Sequence, residues 1–255
     1  QHEIDIRYDR ALKTADNVIT LKMAAKFIAF KHRVHVTFMP KPFYGINGSA
    51  MHTHQSLWKG GKNAFYDKSD KYGLSTVAYQ FLAGQLAHAR EIAGVFAPTV
   101  NSYKRLTPGF EAPAYVSWAR INRSALIRVP KVSKGLEPKA TRLEIRSPDP
   151  SGNPYLTLAV LLKAGLDGVK RRMKAPPPVE ENLYEFDDVK LAKLYITKLP
   201  GSLGEAIREI EKGKIVRETF GEYTFHRYTE AKREEWDSFR RWVTDWEITR
   251  YLSNI

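Results

Sequence analysis

The chain has 255 residues, 43% of them apolar and 12% aromatic, which suffices for one large domain or two small ones with a sizeable core. It has no cysteine and no apolar run near the roughly 18 residues of a membrane span, which excludes disulfides, thiolate catalysis and zinc–thiolate sites and predicts no membrane segment. Lys and Arg outnumber Asp and Glu by 41 to 28, and this net charge of +13 favours anionic partners, but the charges are spread along the chain, which argues against a basic nucleic-acid-binding tail.

Hydrophobic patterning in the first part of the chain predicts strands and helices in an irregular order. Alternation of polar and apolar residues predicts strands, and apolar residues at three- and four-residue spacing predict helices. The predicted strands cover 3–8, 34–38 and 51–58, and the predicted helices cover 16–30 and 69–96. A loop with Pro42, Gly45 and Gly48 separates the last two of these strands.

The second part of the chain predicts short strands followed by helices. The segment 99–150 is rich in proline and arginine, and Pro154 is suited to the first turn of a helix that runs to Met173. Ser202 and Glu205 have the spacing of a capping box, and aromatic residues at helical spacing predict an amphipathic helix near the C-terminus. Because strands and helices do not alternate regularly, we expect the α+β class.

The segment 47–56 carries polar side chains on a predicted strand. Residues two apart on a strand share a face, so His52, His54 and Ser56 are expected to point the same way. Two imidazoles in this arrangement can bind a metal ion or a phosphate. The alternative is a pair of ordinary surface histidines on an exposed strand, and the spacing alone does not decide between the two interpretations.

A charged triplet occurs further along the chain. Alternation puts Arg142, Glu144 and Arg146 on one face of a strand and directs Leu143 and Ile145 into the core. Two cations beside a carboxylate keep it ionised, as a ligand of a divalent metal must be, and each guanidinium can bind a phosphate or carboxylate through two hydrogen bonds. The alternative is a solvated strand face with weak ion pairs.

A loop with charged residues lies between these two motifs. Pro108 and Gly109 predict a tight turn, and Arg105 and Glu111 lie on either side of it. A loop of this kind could cover a small charged substrate. The alternative is a structural surface loop, which is the more common case for such spacing.

Four cations lie close together between residues 123 and 142. Arg123 and Arg128 are five apart, so a regular strand would send them to opposite faces and only a bend would let both meet one ligand. With Lys139 and Arg142 they give a density of positive charge that suits a polyphosphate. The alternative is a pair of basic strands that face water.

Taken in order, these segments resemble glutamine synthetases of the bacterial and archaeal type. The residues that carry the resemblance are Asn-Gly-Ser-x-Met-His-x-His at 47–54, Asn-Ser-Tyr-Lys-Arg-Leu-x-Pro-Gly-x-Glu-Ala-Pro at 101–113, Asn-Arg-Ser-Ala-x-Ile-Arg-x-Pro at 122–130, Glu-x-Arg-x-Pro-Asp-Pro at 144–150 and Asn-Pro-Tyr-Leu at 153–156. The resemblance extends over almost the whole chain, and agreement at so many ordered positions is not expected by chance.

The resemblance implies a fold and an assembly. It implies that residues 1–255 form an α+β catalytic domain with a curved, mainly antiparallel sheet backed by helices. It also implies that a β-rich N-terminal domain and the first part of the catalytic domain lie upstream of this sequence. The corresponding expectation for the full-length protein is a cytoplasmic homo-oligomer, a dodecamer of two stacked hexameric rings, without a nucleic-acid or membrane partner.

The activity that the resemblance implies is an ATP-dependent ligation. Ammonia is joined to the side-chain carboxylate of L-glutamate through γ-glutamyl phosphate, which gives glutamine, ADP and phosphate, with two Mg²⁺ or Mn²⁺ ions in each complete site. The residue types fit this chemistry, because phosphoryl transfer depends mainly on positioning and charge neutralisation. A carboxylate can also attract ammonium and take its proton before the attack.

The resemblance assigns roles to individual positions of this chain. Metal ligation is implied for Glu3 at one ion and for His52 and Glu144 at the other. ATP contacts are implied for His54, Ser56, Arg123, Arg128, Lys139 and Arg142. Glutamate contacts are implied for Asn47, Gly48, Arg105, Glu111 and Arg146, and catalytic roles for Glu111, Arg123 and Arg146.

Two other classes of function stay open at this point. A related γ-glutamyl–amine ligase, which would join glutamate to a polyamine, would use the same ATP and glutamate residues, although Glu111 favours ammonium as the acceptor. A non-enzymatic protein, either a catalytically silent relative or a basic nucleic-acid binder, is the second class. A silent relative should have lost charged ligands, yet every matching position here keeps a competent residue, and no basic block or stacking motif is found.

Overall fold

A computed structural model describes residues 1–107 and 112–255 of the chain. In this described part the helices are α1 (Ala11–Lys31), α2 (Thr76–Ala87), α3 (Ala89–Phe96), α4 (Val100–Arg105), α5 (Glu137–Ala140), α6 (Pro154–Lys170), α7 (Asp188–Lys193), α8 (Leu203–Lys212), α9 (Ile215–Phe239) and α10 (Asp245–Tyr251). The strands are β1 (Thr53–Gln55), β2 (Trp58–Lys59), β3 (Lys62–Asn63), β4 (Tyr115–Ala119), β5 (Ala125–Arg128) and β6 (Leu143–Ile145). Within the described ranges, no helix is both long enough and apolar enough to cross a bilayer.

Four of the strands form one sheet in the order β1–β6–β5–β4. The β1–β6 and β5–β6 pairings are antiparallel, and the β4–β5 pairing is parallel. Strand β6 therefore lies inside the sheet, and its central residue Glu144 is opposite His54 on one side and Arg128 on the other. This mainly antiparallel sheet and its surrounding helices confirm the expected α+β class.

One face of the sheet packs against helices α2 and α6. Leu143 and Ile145 on β6 are fully buried in the main hydrophobic cluster. On β1, the Gln55 Oε1 atom accepts a hydrogen bond of 2.7 Å from Gln85 Nε2 on α2, and the same amide donates to the Leu161 carbonyl on α6 at 3.0 Å. Because neighbouring residues alternate between faces, the side chains of His54 and Glu144 lie on the opposite face.

Helices α2 and α6 approach each other closely where glycines replace side chains. A Cβ atom on Gly84 would lie 2.7 Å from the backbone nitrogen of Gly168, closer than non-bonded atoms can pack. The two helix backbones therefore touch at this point. This close contact fixes the helical layer that supports β1 and β6.

Two strands predicted near the N-terminus are not formed. Residues 1–10 have no regular structure and are exposed, and residues 34–38 also lie outside any strand. The alternation that predicted them is present, but a strand is stable only when a neighbour pairs with its backbone groups. In the described part of the chain, no strand lies beside either segment.

The predicted helices are found, with shifted ends. The helix predicted over 16–30 is α1, and the helix predicted from Pro154 is α6, which ends at Lys170. The helix predicted over 69–96 begins only at Thr76, because Asp67 and Asp70 accept backbone N–H groups in preceding turns, and it breaks into α2 and α3. The predicted C-terminal helix is likewise two helices, α9 and α10.

The predicted N-cap of α8 is confirmed, but the reciprocal half of its capping box is not formed. Ser202 accepts a hydrogen bond of 3.1 Å from the Glu205 N–H. The Glu205 carboxylate instead accepts the N–H of Gly201 and pairs with Arg90 of α3 at 2.7 Å. A tertiary ion pair thus replaces one local hydrogen bond.

A histidine joins four of the helices away from the sheet. His88 lies between α2 and α3, with its Nε2 2.9 Å from Asp167 of α6 and its Nδ1 3.4 Å from Glu91. The other Glu91 oxygen accepts the Val216 N–H at the start of α9, and Arg171 also contacts Asp167. The ion pair with Glu91 raises the pKa of His88, burial lowers it in part, and Asp167 raises it again.

This histidine predicts a pH dependence of stability. Because the folded-state pKa lies above the ordinary 6.5, His88 contributes its full stabilisation below that value and loses it as the pH rises through the raised pKa. We expect the free energy of unfolding, measured by urea denaturation, to fall as the pH rises from about 6.5 through the raised pKa of His88. The fall should be smaller in His88→Gln and unchanged in the exposed control His226→Gln, and an equal fall in all three proteins would contradict the assignment.

Candidate active site

The open face of the sheet gathers the charged residues around Glu144. The Glu144 carboxylate is buried and lies 2.5 Å from Arg128 Nε, 3.2 Å from Arg146 Nη1 and 3.4 Å from His52 Nδ1. Three sequence segments therefore meet at one carboxylate, because β6 pairs with β1 on one side and with β5 on the other. The excess of cations over carboxylates makes this face suited to anionic ligands.

The imidazole of His52 is neutral at physiological pH. Burial, the largest cause, and the nearby charge of Arg146 lower its pKa to about 4, and Glu144 opposes these effects only in part. A neutral imidazole keeps a free lone pair, which is the form that binds a metal ion. His52 and Glu144 together thus offer one nitrogen and one carboxylate at a single place.

His54 and Arg142 form a second contact on the same face. The Arg142 Nε donates to His54 Nδ1 at 3.0 Å, and because a guanidinium can only donate, His54 must carry its proton on Nε2. Burial lowers the pKa of His54, and Arg142 and Arg128 lower it further. Ser56, predicted to follow on this face, accepts a hydrogen bond of 3.0 Å from the indole nitrogen of Trp58.

A buried guanidinium adjoins this face at the end of β6. Arg105 donates to the Arg146 carbonyl at 2.8 Å and to the Ser147 carbonyl at 2.7 Å. Burial lowers its pKa to about 10, so it remains charged at neutral pH. The position of a Cβ on Gly48 would be only 3.0 Å from Arg105 Cγ, so two of the predicted glutamate contacts are neighbours.

Asp149 belongs to the surroundings of Arg105 and was not predicted from the sequence. It is fully buried, and its Oδ1 accepts hydrogen bonds from the Ser151 N–H at 2.9 Å and hydroxyl at 2.5 Å. Burial raises the pKa of Asp149, and Ser151, Ser102 and Arg105 oppose this. The sequence feature that could have identified Asp149 is its position between Pro148 and Pro150. Proline restricts the backbone, so the side chain between two prolines is held in a defined place.

Several predicted site residues lie outside these contacts. Glu3 is exposed in the N-terminal segment, Arg123 in the turn before β5 and Lys139 in helix α5. Within the described ranges, no hydrogen bond or ion pair connects these three residues to the Glu144 cluster. Asn47 is exposed in the loop before Gly48. Glu111 lies outside the residues that the structure describes.

The donor atoms present fit part of a divalent metal site. His52 and Glu144 offer two ligands that Mg²⁺ or Mn²⁺ accepts, within 3.4 Å of each other. Among the described residues no group of three or more His, Asp or Glu side chains is arranged to hold a metal ion. A complete site would therefore need further oxygen ligands, such as substrate phosphates or carboxylates from elsewhere.

Comparison with known proteins identifies relatives of this chain. The family model described as the catalytic domain of glutamine synthetase matches residues 1–251. A glutamine synthetase of Thermotoga maritima is 53% identical over 252 residues, covering 99% of this chain and 56% of that protein. A glutamine synthetase of Methanocaldococcus jannaschii is 50% identical over 253 residues, covering 99% of this chain and 55% of that protein.

Solved structures are similar as well. A GmaS–ADP complex matches with a TM-score of 0.85 at 34% identity, covering 97% of this chain and 56% of that chain. GmaS without ligand matches with a TM-score of 0.82 at 35% identity, covering 95% of this chain and 54% of that chain. The chain thus spans a little over half the length of the relatives it matches.

Proposed function

Because the chain belongs to the family of glutamine synthetase catalytic domains, we propose that the protein containing it ligates ammonia to L-glutamate at the expense of ATP. The γ-carboxylate of glutamate attacks the γ-phosphorus of ATP, and ammonia then displaces phosphate from the acyl phosphate. The observation that carries this proposal is the family match over residues 1–251. The cluster of Arg128, Arg146 and His52 around Glu144 supports it, since this cluster suits two anionic substrates.

The nucleotide is assigned to the His54 side of the cluster. The guanidinium groups of Arg128 and Arg142 can neutralise phosphate oxygens, and the Nε2–H of His54 is left to donate to an acceptor on the nucleotide. Ser56, Lys139 and the exposed Arg123 complete the proposed set, with Arg123 reaching the transferred phosphate. The GmaS relative solved with ADP supports a nucleotide in this fold.

Glutamate is assigned to the side of the cluster where Arg105 and Gly48 meet. Arg105 carries a buried positive charge close to the backbone of Gly48, and Asn47 precedes that glycine. Arg146 lies between this place and Glu144, which suits a residue that holds the γ-carboxylate while it is phosphorylated. Glu111 is proposed as the carboxylate that attracts ammonium and takes its proton.

His52 and Glu144 would hold one divalent cation, and Glu3 would contribute to a second. A bound Mg²⁺ or Mn²⁺ neutralises the charge of phosphate oxygens and so favours phosphoryl transfer. The neutral His52 is already in the protonation state that a cation requires, and two arginines hold the Glu144 carboxylate beside it. The assembly is proposed to be a dodecamer of two hexameric rings.

Loss of the His52 imidazole is expected to weaken binding of Mn²⁺ at least about tenfold. Even the loss of a residue that only hydrogen-bonds to a metal ligand lowers metal affinity by about tenfold or more. Mn²⁺ titration followed by electron paramagnetic resonance measures this for His52→Ala. A matched control is His226→Ala, since His226 pairs with Glu222 at 3.3 Å on an exposed helix. Equal Mn²⁺ affinity in both variants would show that His52 is not a metal ligand.

The proposed reaction is tested with the natural gene product that contains residues 1–255. The protein is incubated with ATP, L-glutamate and Mg²⁺, and glutamine, ADP and phosphate are measured with ammonium, with a polyamine or with no amine. We expect glutamine and equimolar phosphate with ammonium. A γ-glutamyl–polyamine product in place of glutamine would assign the alternative ligase, and no glutamate-dependent ADP formation would contradict ligase activity.

A further inference from the structure

The side chain of Asn101 pairs with the backbone of Lys41 in both directions. Its Oδ1 accepts a hydrogen bond of 2.7 Å from the Lys41 N–H, and its Nδ2 donates to the Lys41 carbonyl at 3.0 Å. One amide thus satisfies both backbone groups of a buried residue that lies outside any helix or strand. Removal of the amide leaves a donor and an acceptor without these partners in partly buried surroundings.

The loop that Asn101 holds is closed on itself. The Ser49 N–H donates to the Pro40 carbonyl at 2.8 Å, and the Lys41 ammonium donates to the Ile46 carbonyl. We call residues 40–49 the Lys41 loop. Because internal hydrogen bonds close this loop, a displacement of Lys41 also displaces Asn47 and Gly48 at its other end.

Asn101 is carried by a helix that is held firmly. A capping box at Thr99 begins α4, and the Val100 N–H donates to Glu235 of α9 at 3.1 Å. One turn after Asn101, on the same side of the helix, Arg105 donates to the carbonyls that follow β6. Helix α4 therefore holds the Lys41 loop with one residue and the end of β6 with another.

We propose that Asn101 is a positioning residue for glutamate, which acts by holding the Lys41 loop against α4. This inference rests on the proposed function, in which Asn47 and Gly48 contact glutamate and Arg146 holds its γ-carboxylate. Asn101 does not touch the substrate in this arrangement. It sets the distance between the Lys41 loop and Arg146, and a binding site for a small zwitterion tolerates little change in such a distance.

A second asparagine supplies a matched comparison. Asn63 on β3 also makes two hydrogen bonds to backbone groups, because its Nδ2 donates to the Thr141 carbonyl at 2.8 Å and its Oδ1 accepts the Phe65 N–H at 2.9 Å. Thr141 precedes Arg142, a proposed ATP contact. The same substitution, Asn to Ala, can thus be made beside the proposed glutamate site or beside the proposed ATP site.

The test compares Asn101→Ala and Asn63→Ala in the natural gene product that contains residues 1–255. KM for glutamate and KM for ATP are measured separately in each variant. We expect Asn101→Ala to raise KM for glutamate about tenfold and to change KM for ATP less than about twofold, with the opposite pattern for Asn63→Ala. Equal changes of both KM values in both variants, or an unchanged KM for glutamate in Asn101→Ala, would overturn the proposal.

A second readout does not depend on activity. Hydrogen exchange followed by mass spectrometry compares peptides from the Lys41 loop with peptides from 139–146 in the same proteins. Faster exchange in the Lys41 loop alone is expected for Asn101→Ala and for the milder Asn101→Asp, which keeps the acceptor but loses the donor. Unchanged exchange in that loop would overturn the role of Asn101, whereas an unsubstituted protein without glutamate-dependent activity would instead contradict the proposed function.

Discussion

Replacement of Glu144 by glutamine is expected to lower kcat/KM for glutamine formation by roughly 10³-fold, which corresponds to about 4 kcal/mol of lost transition-state stabilisation. The carboxylate is buried and has Arg128, Arg146 and His52 within 3.4 Å. Glutamine has nearly the same shape but brings no negative charge, so it no longer offsets the repulsion between the two guanidinium groups. The substitution also removes a proposed ligand of the divalent cation.

The steady-state rates of Glu144→Gln and of a matched control measure this effect. Glu205→Gln removes a carboxylate that pairs with Arg90 at 2.7 Å, far along the chain from the Glu144 cluster and without a proposed role in the reaction. We expect the control to keep kcat/KM within about threefold of the unsubstituted protein, as partly exposed ion pairs contribute little. Similar losses in both variants would mean that Glu144 acts only through stability.

Replacement of Arg105 by alanine is expected to weaken glutamate binding by roughly 2–5 kcal/mol and ATP binding much less. The guanidinium is charged and buried beside Gly48, and it holds the carbonyls of Arg146 and Ser147. Its loss removes a cation from the proposed glutamate site and leaves two buried acceptors without their donor. Both effects act on the segment that follows β6, whereas His54 and Arg142 on the ATP side are not touched.

Calorimetric titration with glutamate and with a non-hydrolysable ATP analogue separates the two affinities. The matched control is Arg90→Ala, because Arg90, like Arg105, donates to a backbone carbonyl, that of Lys198, and its ion pair with Glu205 has no proposed role in the reaction. We expect this control to leave both affinities unchanged. Equal weakening of glutamate and ATP in Arg105→Ala would refute the assignment of Arg105 to glutamate.

The central part of the site could be predicted because it depends on local alternation. Strand periodicity alone puts Arg142, Glu144 and Arg146 on one face of β6, and it puts His52 and His54 on one face of the segment that contains β1. Both segments also carry buried residues on their other face. The pairing of β1 with β6 then brings the two sets together at Glu144. The resemblance of ordered motifs to one family supplied the pairing that periodicity cannot.

Other features depended on contacts that periodicity does not encode. Residues 3–8 and 34–38 alternate as strands do, but no neighbouring strand pairs with them in the described part of the chain. The positions of Asn101 and Asp149 follow from tertiary hydrogen bonds and burial rather than from spacing. Arg123 is exposed in the turn before β5, whereas Arg128 contacts Glu144, and spacing alone could not predict this difference.

The central claim is that the γ-carboxylate of glutamate becomes phosphorylated before the amine attacks. L-Glutamate labelled with ¹⁸O in its γ-carboxylate tests this directly in the natural gene product that contains residues 1–255. The oxygen that attacks ATP stays with phosphorus when ammonia breaks the acyl C–O bond, so mass spectrometry should find ¹⁸O in the inorganic phosphate. Glutamine formed together with unlabelled phosphate would contradict the account.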